Sequence, residues 1–126
     1  SNVQAKAETS QPPCTGICKK VPPQTRTTSR ALLDQRFAVV NIDGTLARGN
    51  GVISASKVSS TGYQVIFNRN VTACNYTATV GQPGTGATEG FAMVASRAGN
   101  VNGVFVNTRD AQGNGAARSF HLLVSC

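Results

Sequence analysis

Charge is scarce in this sequence: 13% of its 126 residues are Asp, Glu, Lys or Arg, against roughly 25% in an ordinary soluble domain. Thr, Asn, Ser and Gly take over the surface. A chain with 13 Gly and few Glu or Lys is poor material for long helices and good material for short strands joined by tight turns. No apolar run approaches the ~18 residues of a membrane-spanning helix, so membrane insertion is not expected. The first residue is Ser and no signal-like apolar stretch follows it, which reads as a processed, exported product.

Catalytic groups are as scarce as charge. The single histidine, His121, falls in a strand-like stretch facing opposite to Phe120 and Leu122, and nucleophilic catalysis needs a base and an orienting group behind it. There is no G-x-S-x-G elbow, and the carboxylates stand singly, without the pair a glycosidase uses. Asp110, Gln112, Asn114 and Gly115 follow the opening of a calcium loop, but its twelfth position is His121 instead of Glu, and an Asn-Gly turn explains the same residues. No enzyme activity, no metal and no cofactor are therefore expected.

Four cysteines are present. Cys14 and Cys18 are spaced C-x-x-x-C, whereas Cys74 and Cys126 are far apart; zinc sites favour C-x-x-C with more histidine nearby. Disulfides, and with them a secreted or extracellular-surface location, are the better reading. Four cysteines allow three pairings. Alternation puts Cys74 on the face of Tyr76, Ala78 and Val80, and Cys126 on the face of Phe120, Leu122 and Val124, so a Cys74–Cys126 bridge is favoured. Its closure of a long loop is worth a few kcal/mol on the chain-entropy model.

The net charge is +7, from 12 Lys and Arg against 5 Asp and Glu. A basic balance permits attraction to nucleic acid, anionic glycans or cell-wall polymers. Arg48, Arg69, Arg97, Arg109 and Arg118 are dispersed, however, and the aromatics read as core, so nucleic-acid binding is not expected. Two triplets, Asn70-Val71-Thr72 and Asn75-Tyr76-Thr77, fit the glycosylation sequon, which acts only in a glycosylating host.

Residues 1–36 read as an extended, proline-rich arm, with four of the five prolines and a small loop between Cys14 and Cys18. Within the arm Val3, Ala5 and Ala7 alternate with Gln4, Lys6 and Glu8, the period of a short strand able to reach a neighbour. Ser29 is placed to cap one helical turn through Arg30 to Gln35. From residue 37 to 126 strand and turn signals alternate: Phe37–Ile42, a turn at Asp43-Gly44, Thr45–Arg48, a turn at Asn50-Gly51, and Val52–Lys57, both turns reading as hairpins. Further strands are expected over Tyr63–Asn68, Cys74–Val80, Phe91–Arg97, Gly103–Arg109 and Ser119–Ser125. That makes an all-β domain, an antiparallel β-sandwich, jelly-roll-like, of about eight strands.

Two loops are candidate binding sites. Gly81 to Gly90, with Gln82, Thr85 and Glu89, is Gly-rich and expected to be too flexible to pack; Asp110 to Ala117, with Asp110, Gln112 and Asn114, is its counterpart. Several strands are apolar on both faces: Phe37 and Val39 against Ala38, Val40 and Ile42; Phe91 and Met93 against Ala92 and Val94; Leu122 beside Leu123. A sandwich buries one face of each sheet, so the surplus face calls for an oligomer interface, or for a helix or loop that covers it.

The run F-A-x-V-N-x-D-G-T-L-A-x-G-x-G-V at residues 37–52, T-G-Y-x-V-x-F at 61–67, N-Y-x-A-x-V-G at 75–81 and the closing F-H-L-L-V-S-C resemble the C-terminal β domains of phage tail fibres and bacterial collagen-like surface proteins. The resemblance covers residues 37–126. It implies a compact sandwich, commonly a trimeric knob, whose exposed loops bind a surface receptor or glycan. The arm departs from that pattern, having neither a Gly-X-Y repeat nor a long coiled coil. The expected function is a self-assembling structural or adhesive module of a fibre or cell surface, partnered by itself as a homotrimer or head-to-tail polymer, with a surface glycan or polymer as ligand. The alternative is a filament subunit that polymerises by donating its N-terminal strand.

Overall fold

The computed structural model describes residues 34–126, a unit bounded by Asp34 and Cys126. The arm strand of Val3, Ala5 and Ala7, the Cys14 and Cys18 loop and residues 29–33 of the expected helical turn lie outside the described residues. Gln35, expected to close that turn, instead opens the first strand. Eight strands follow: β1 Gln35–Val40, β2 Leu46–Asn50, β3 Val52–Lys57, β4 Gly62–Phe67, β5 Asn75–Val80, β6 Phe91–Ser96, β7 Gly103–Arg109 and β8 Phe120–Ser125. Among the described residues there is no helix.

The strands form two four-stranded sheets, the first in the order β2-β1-β8-β5 and the second β3-β4-β7-β6, with every pair antiparallel. The pairing is nested: β1 lies beside β8 in one sheet and β4 beside β7 in the other. This is an antiparallel β-sandwich of eight strands, as expected from the strand spacing. Alternation supplies the core. Ala38, Val40, Phe120, Leu122 and Val124 point inward from the first sheet and meet Tyr63, Val65, Phe67, Val104 and Val106 of the second, the interleaved packing expected of two aligned sheets.

Tyr63 and Phe120 meet edge to face, with ring centroids 5.2 Å apart. Cys74 and Cys126 are bonded, so the favoured pairing holds, and the bridge ties the start of β5 to the end of β8.

One expected hairpin is absent. Asp43-Gly44 does turn β1 into β2, but Asn50-Gly51 does not pair β2 with β3; it carries the chain from one sheet to the other. Gly51 has a φ of +74°, and a Cβ there would meet the Arg36 side chain at 2.7 Å. Only glycine takes this corner without strain.

The sheet edges differ by side of the sandwich. On one side β2 carries Arg48 and β3 carries Lys57, and the ladders of both are interrupted by irregularities at Val39/Val40 and Val52/Ser54. On the other side β5 (NYTATV) and β6 (FAMVAS) carry no charge and no proline.

Candidate functional site

Two kinds of surface emerge: apolar faces on the outside of the sandwich, and a cleft at one end of it. On the first sheet, the register aligns Phe37, Leu123 and Thr77 in one outward row and Val39, His121 and Thr79 in the next. These six side chains line a shallow groove of about 240 Å³. Among the described residues Phe37 and Leu123 remain 39% and 41% exposed. Val39 is the exception, buried although it faces outward.

The loop after β5 bounds that groove. His121 Nε2 donates to the Gln82 carbonyl at 2.9 Å, and Arg48 donates to the Pro83 carbonyl at 2.7 Å. Gln82 Nε2 in turn donates to Thr88 Oγ1 at 2.7 Å. The base of the Gly81 to Gly90 loop is therefore pinned, contrary to the expectation that the whole loop is too flexible to pack; only residues 84–87 stand fully exposed as a run. The reason is non-local, since both anchors come from distant strands.

The outer face of the second sheet is partly sealed. Arg97 lies over the Phe105 ring, 5.9 Å from its centroid, and its Nε donates to Gln64 Oε1 at 2.7 Å, a cation–π contact held in place by a hydrogen bond. Apolar exposure is displaced to the margins, with Ile53 on β3 and with Phe91 and Met93 on β6, 43% and 42% exposed.

At the end of the sandwich where β1 and β5 finish and β8 begins, a cleft of about 400 Å³ opens. Gln82, Thr88 and Glu89 form one wall, Asn41 and Ile42 another, and Arg118 and Ser119 the third. Arg118 is fixed by donating to the carbonyls of Glu89 at 2.9 Å and Ala117 at 3.0 Å. The lining mixes donors, acceptors and both signs of charge with the apolar Pro83 and Ala87.

Of the candidate loop residues, Gln82 and Glu89 come together in this cleft, while Thr85 sits at the exposed tip and does not line it. Asp110, Gln112 and Asn114 belong to a separate tight turn. There Asp110 Oδ1 accepts from the backbone N–H groups of Gln112 at 3.0 Å and Asn114 at 2.9 Å. That carboxylate is occupied in closing its own turn, which accounts for the calcium-like spelling. Arg118 and Asn41 were not among the expected site residues; no local signal marks them, because the cleft is assembled from three chain segments.

Asp34 lies at the opposite end of the first sheet. It pairs with Arg69 at 2.5 Å and with Arg36. The Arg69 hydrogen bond, aided by the nearby Arg36 and opposed by partial desolvation, holds its carboxyl below the usual range. Asp43, in the β1–β2 turn, is lowered chiefly by hydrogen bonds from the Thr45 hydroxyl and backbone. Both carboxylates have structural partners, and neither lines the cleft.

No protein-family model, curated protein or solved structure gives a match to this chain.

Proposed function

We propose that this chain is an extracellular, non-enzymatic module that assembles with copies of itself into a fibre or surface structure. The observation that carries the reading is the partial exposure, among the described residues, of Phe37 and Leu123 on the first sheet, together with Phe91 and Met93 on the second. Partly exposed apolar side chains on the outer faces of both sheets are surface that contacts between copies would cover. The disulfide supports the extracellular setting, because such bridges persist in oxidising compartments. Light scattering and electron microscopy on the non-reduced protein test the reading. A discrete trimer supports the knob, open-ended polymers support the filament, and a monomer at all concentrations refutes self-assembly.

A second reading, adhesion to a surface glycan or polymer, rests on the cleft between Gln82, Glu89 and Arg118. Saturable binding to a polysaccharide array that is lost on Glu89→Ala supports it. Absence of binding, or binding unaffected by changes in the cleft, removes it.

A further inference from the structure

We infer that Asn114 is a site of covalent modification: its side-chain amide is lost to attack by the Gly115 backbone nitrogen, and water completes the change to aspartate or isoaspartate. The inference stands apart from the assembly and adhesion readings and concerns the turn between β7 and β8.

Asparagine followed by glycine is the pair in which this ring closure meets least hindrance. Glycine has no side chain to shield its own nitrogen and its backbone turns freely, and asparagine is among the thermolabile residues. Three such pairs occur in the chain: Asn50-Gly51, Asn102-Gly103 and Asn114-Gly115. The fold treats them differently.

Asn102-Gly103 is closed off. The Gly103 N–H donates to the Asn100 carbonyl at 3.0 Å, and the Gly103 carbonyl accepts from the Arg97 N–H at 3.0 Å. Gly103 is also buried and paired with Ile66 of β4, so the nitrogen that must attack is already bonded and its peptide is held in a ladder. Asn50-Gly51 is restrained. Asn50 Nδ2 donates to the Gln35 carbonyl at 3.3 Å, and the Gly51 carbonyl accepts from the Asn68 N–H at 2.9 Å, which holds the corner between the sheets.

Asn114-Gly115 has neither restraint. Both residues are exposed. Gly115 lies opposite Arg109 in an isolated antiparallel bridge, and the bonds of that bridge flank it: Asp110 N–H to the Asn114 carbonyl at 2.8 Å, and Ala116 N–H to the Thr108 carbonyl at 3.3 Å. Arg109 and Gly115 are therefore a non-hydrogen-bonded pair, and the Gly115 nitrogen points away from β7. Among the described residues neither that nitrogen nor the Asn114 side chain has a hydrogen-bond partner.

The step balances with water alone. A bond forms between the Gly115 nitrogen and Asn114 Cγ, the Cγ–Nδ2 bond breaks, and the Gly115 amide proton departs with Nδ2 as ammonia. Water then opens the cyclic imide at Cγ, leaving aspartate, or at the main-chain carbonyl, leaving isoaspartate. Nothing is oxidised or reduced. The turn registers the change, because Asp110 Oδ1 accepts from the Asn114 N–H at 2.9 Å. A carboxylate at position 114 sets like charge beside it, and isoaspartate displaces the carbonyl that the Asp110 N–H uses.

The experiment is incubation of the full, non-reduced chain in mildly alkaline buffer, followed over time by tryptic peptide mapping. Cleavage after Arg48, Lys57, Arg97, Arg109 and Arg118 puts Asn50, Asn102 and Asn114 on separate peptides. The peptide of Asn114 is expected to gain about one mass unit, at a rate about tenfold or more above that of Asn102, which must first open locally. In the reduced chain unfolded in urea that contrast is expected to vanish, and Asn114→Gln is expected to remove the signal. In the modified fraction, separated by ion exchange on its lost positive charge, the amides of Asp110 and Ala116 are expected to lose protection. Native Asn114 that stays intact or reacts no faster than Asn102 overturns the assignment, as does a mass gain that persists in Asn114→Gln. Unchanged exchange at Asp110 and Ala116 overturns the effect on the turn. None of these outcomes depends on whether the chain self-associates.

Discussion

The Tyr63 hydroxyl donates to the Ile42 carbonyl at 2.7 Å, joining a central strand of the second sheet to the turn that leaves β1 in the first. The ring is fully buried and packs on Phe120, so this one side chain fastens the two layers at the cleft end. Tyr63→Phe keeps the ring and removes the donor, stranding the carbonyl. A loss of about 1–2 kcal/mol is expected in urea unfolding.

The same residue gives the domain an alkaline limit. Burial, aided by the nearby Asp43, outweighs a backbone hydrogen bond and raises the phenol above its usual value of 10.0. Above that value the unfolded chain loses this proton before the folded one does, so the folded state binds more protons and stability falls as pH rises toward the folded pKa. Equilibrium unfolding across pH 9 to 12 is expected to show a decline that is shallower in Tyr63→Phe.

Asp34 sets the opposite limit. Its carboxyl is held below 3.8 chiefly by Arg69, so its contribution is present above that pH and is lost as pH falls through the lower, folded value. Asp34→Asn is expected to flatten the acid limb of the stability curve while leaving the neutral plateau little changed, because the pairs are partly exposed. Thermal melts between pH 2 and 6 check this.

The Cys74–Cys126 bridge spans a sequence separation of 52. The chain-entropy model makes a loop of that length worth about 4 kcal/mol. Replacing both cysteines by alanine is expected to lower the unfolding free energy by about 2–4 kcal/mol with the strand content retained, read by denaturant titration alongside circular dichroism.

Gly90 precedes β6 with a φ of +129°, and a Cβ there would sit 2.1 Å from the Arg109 carbonyl oxygen. The backbone conformation and the space both require glycine. Gly90→Ala is expected to cost about 2 kcal/mol or more and to raise amide exchange along β6 first.

The eight strands could be read from the sequence because alternation and turn residues are local signals, and runs such as Gly62–Phe67 place every second residue inward. The bridge was legible for the same reason, from the inward face shared by Cys74 and Tyr76. Asn50-Gly51 misled because the dipeptide prescribes a reversal but says nothing about which sheet receives the next strand. The cleft was half legible: Gln82 and Glu89 lie in a recognisable loop, whereas Arg118 reaches it from 29 residues away. Pinning of that loop by Arg48 and His121, over separations of 35 and 39 residues, is a property of the folded chain and leaves no trace in the loop itself.

Cys126 N–H bonds to the Asp34 carbonyl at 2.9 Å, so both ends of the sandwich unit lie together, and the cleft lies one strand length away, roughly 20 Å at 3.3 Å per residue. A pull between Asp34 and anything held in the cleft therefore runs lengthwise along β1, β8 and β5. Such a load shears the ladder, straining its cross-strand bonds together and not peeling them one after another. The covalent link between β5 and β8 spreads that tension over two strands, giving the domain the mechanics of a rivet more than of a zip.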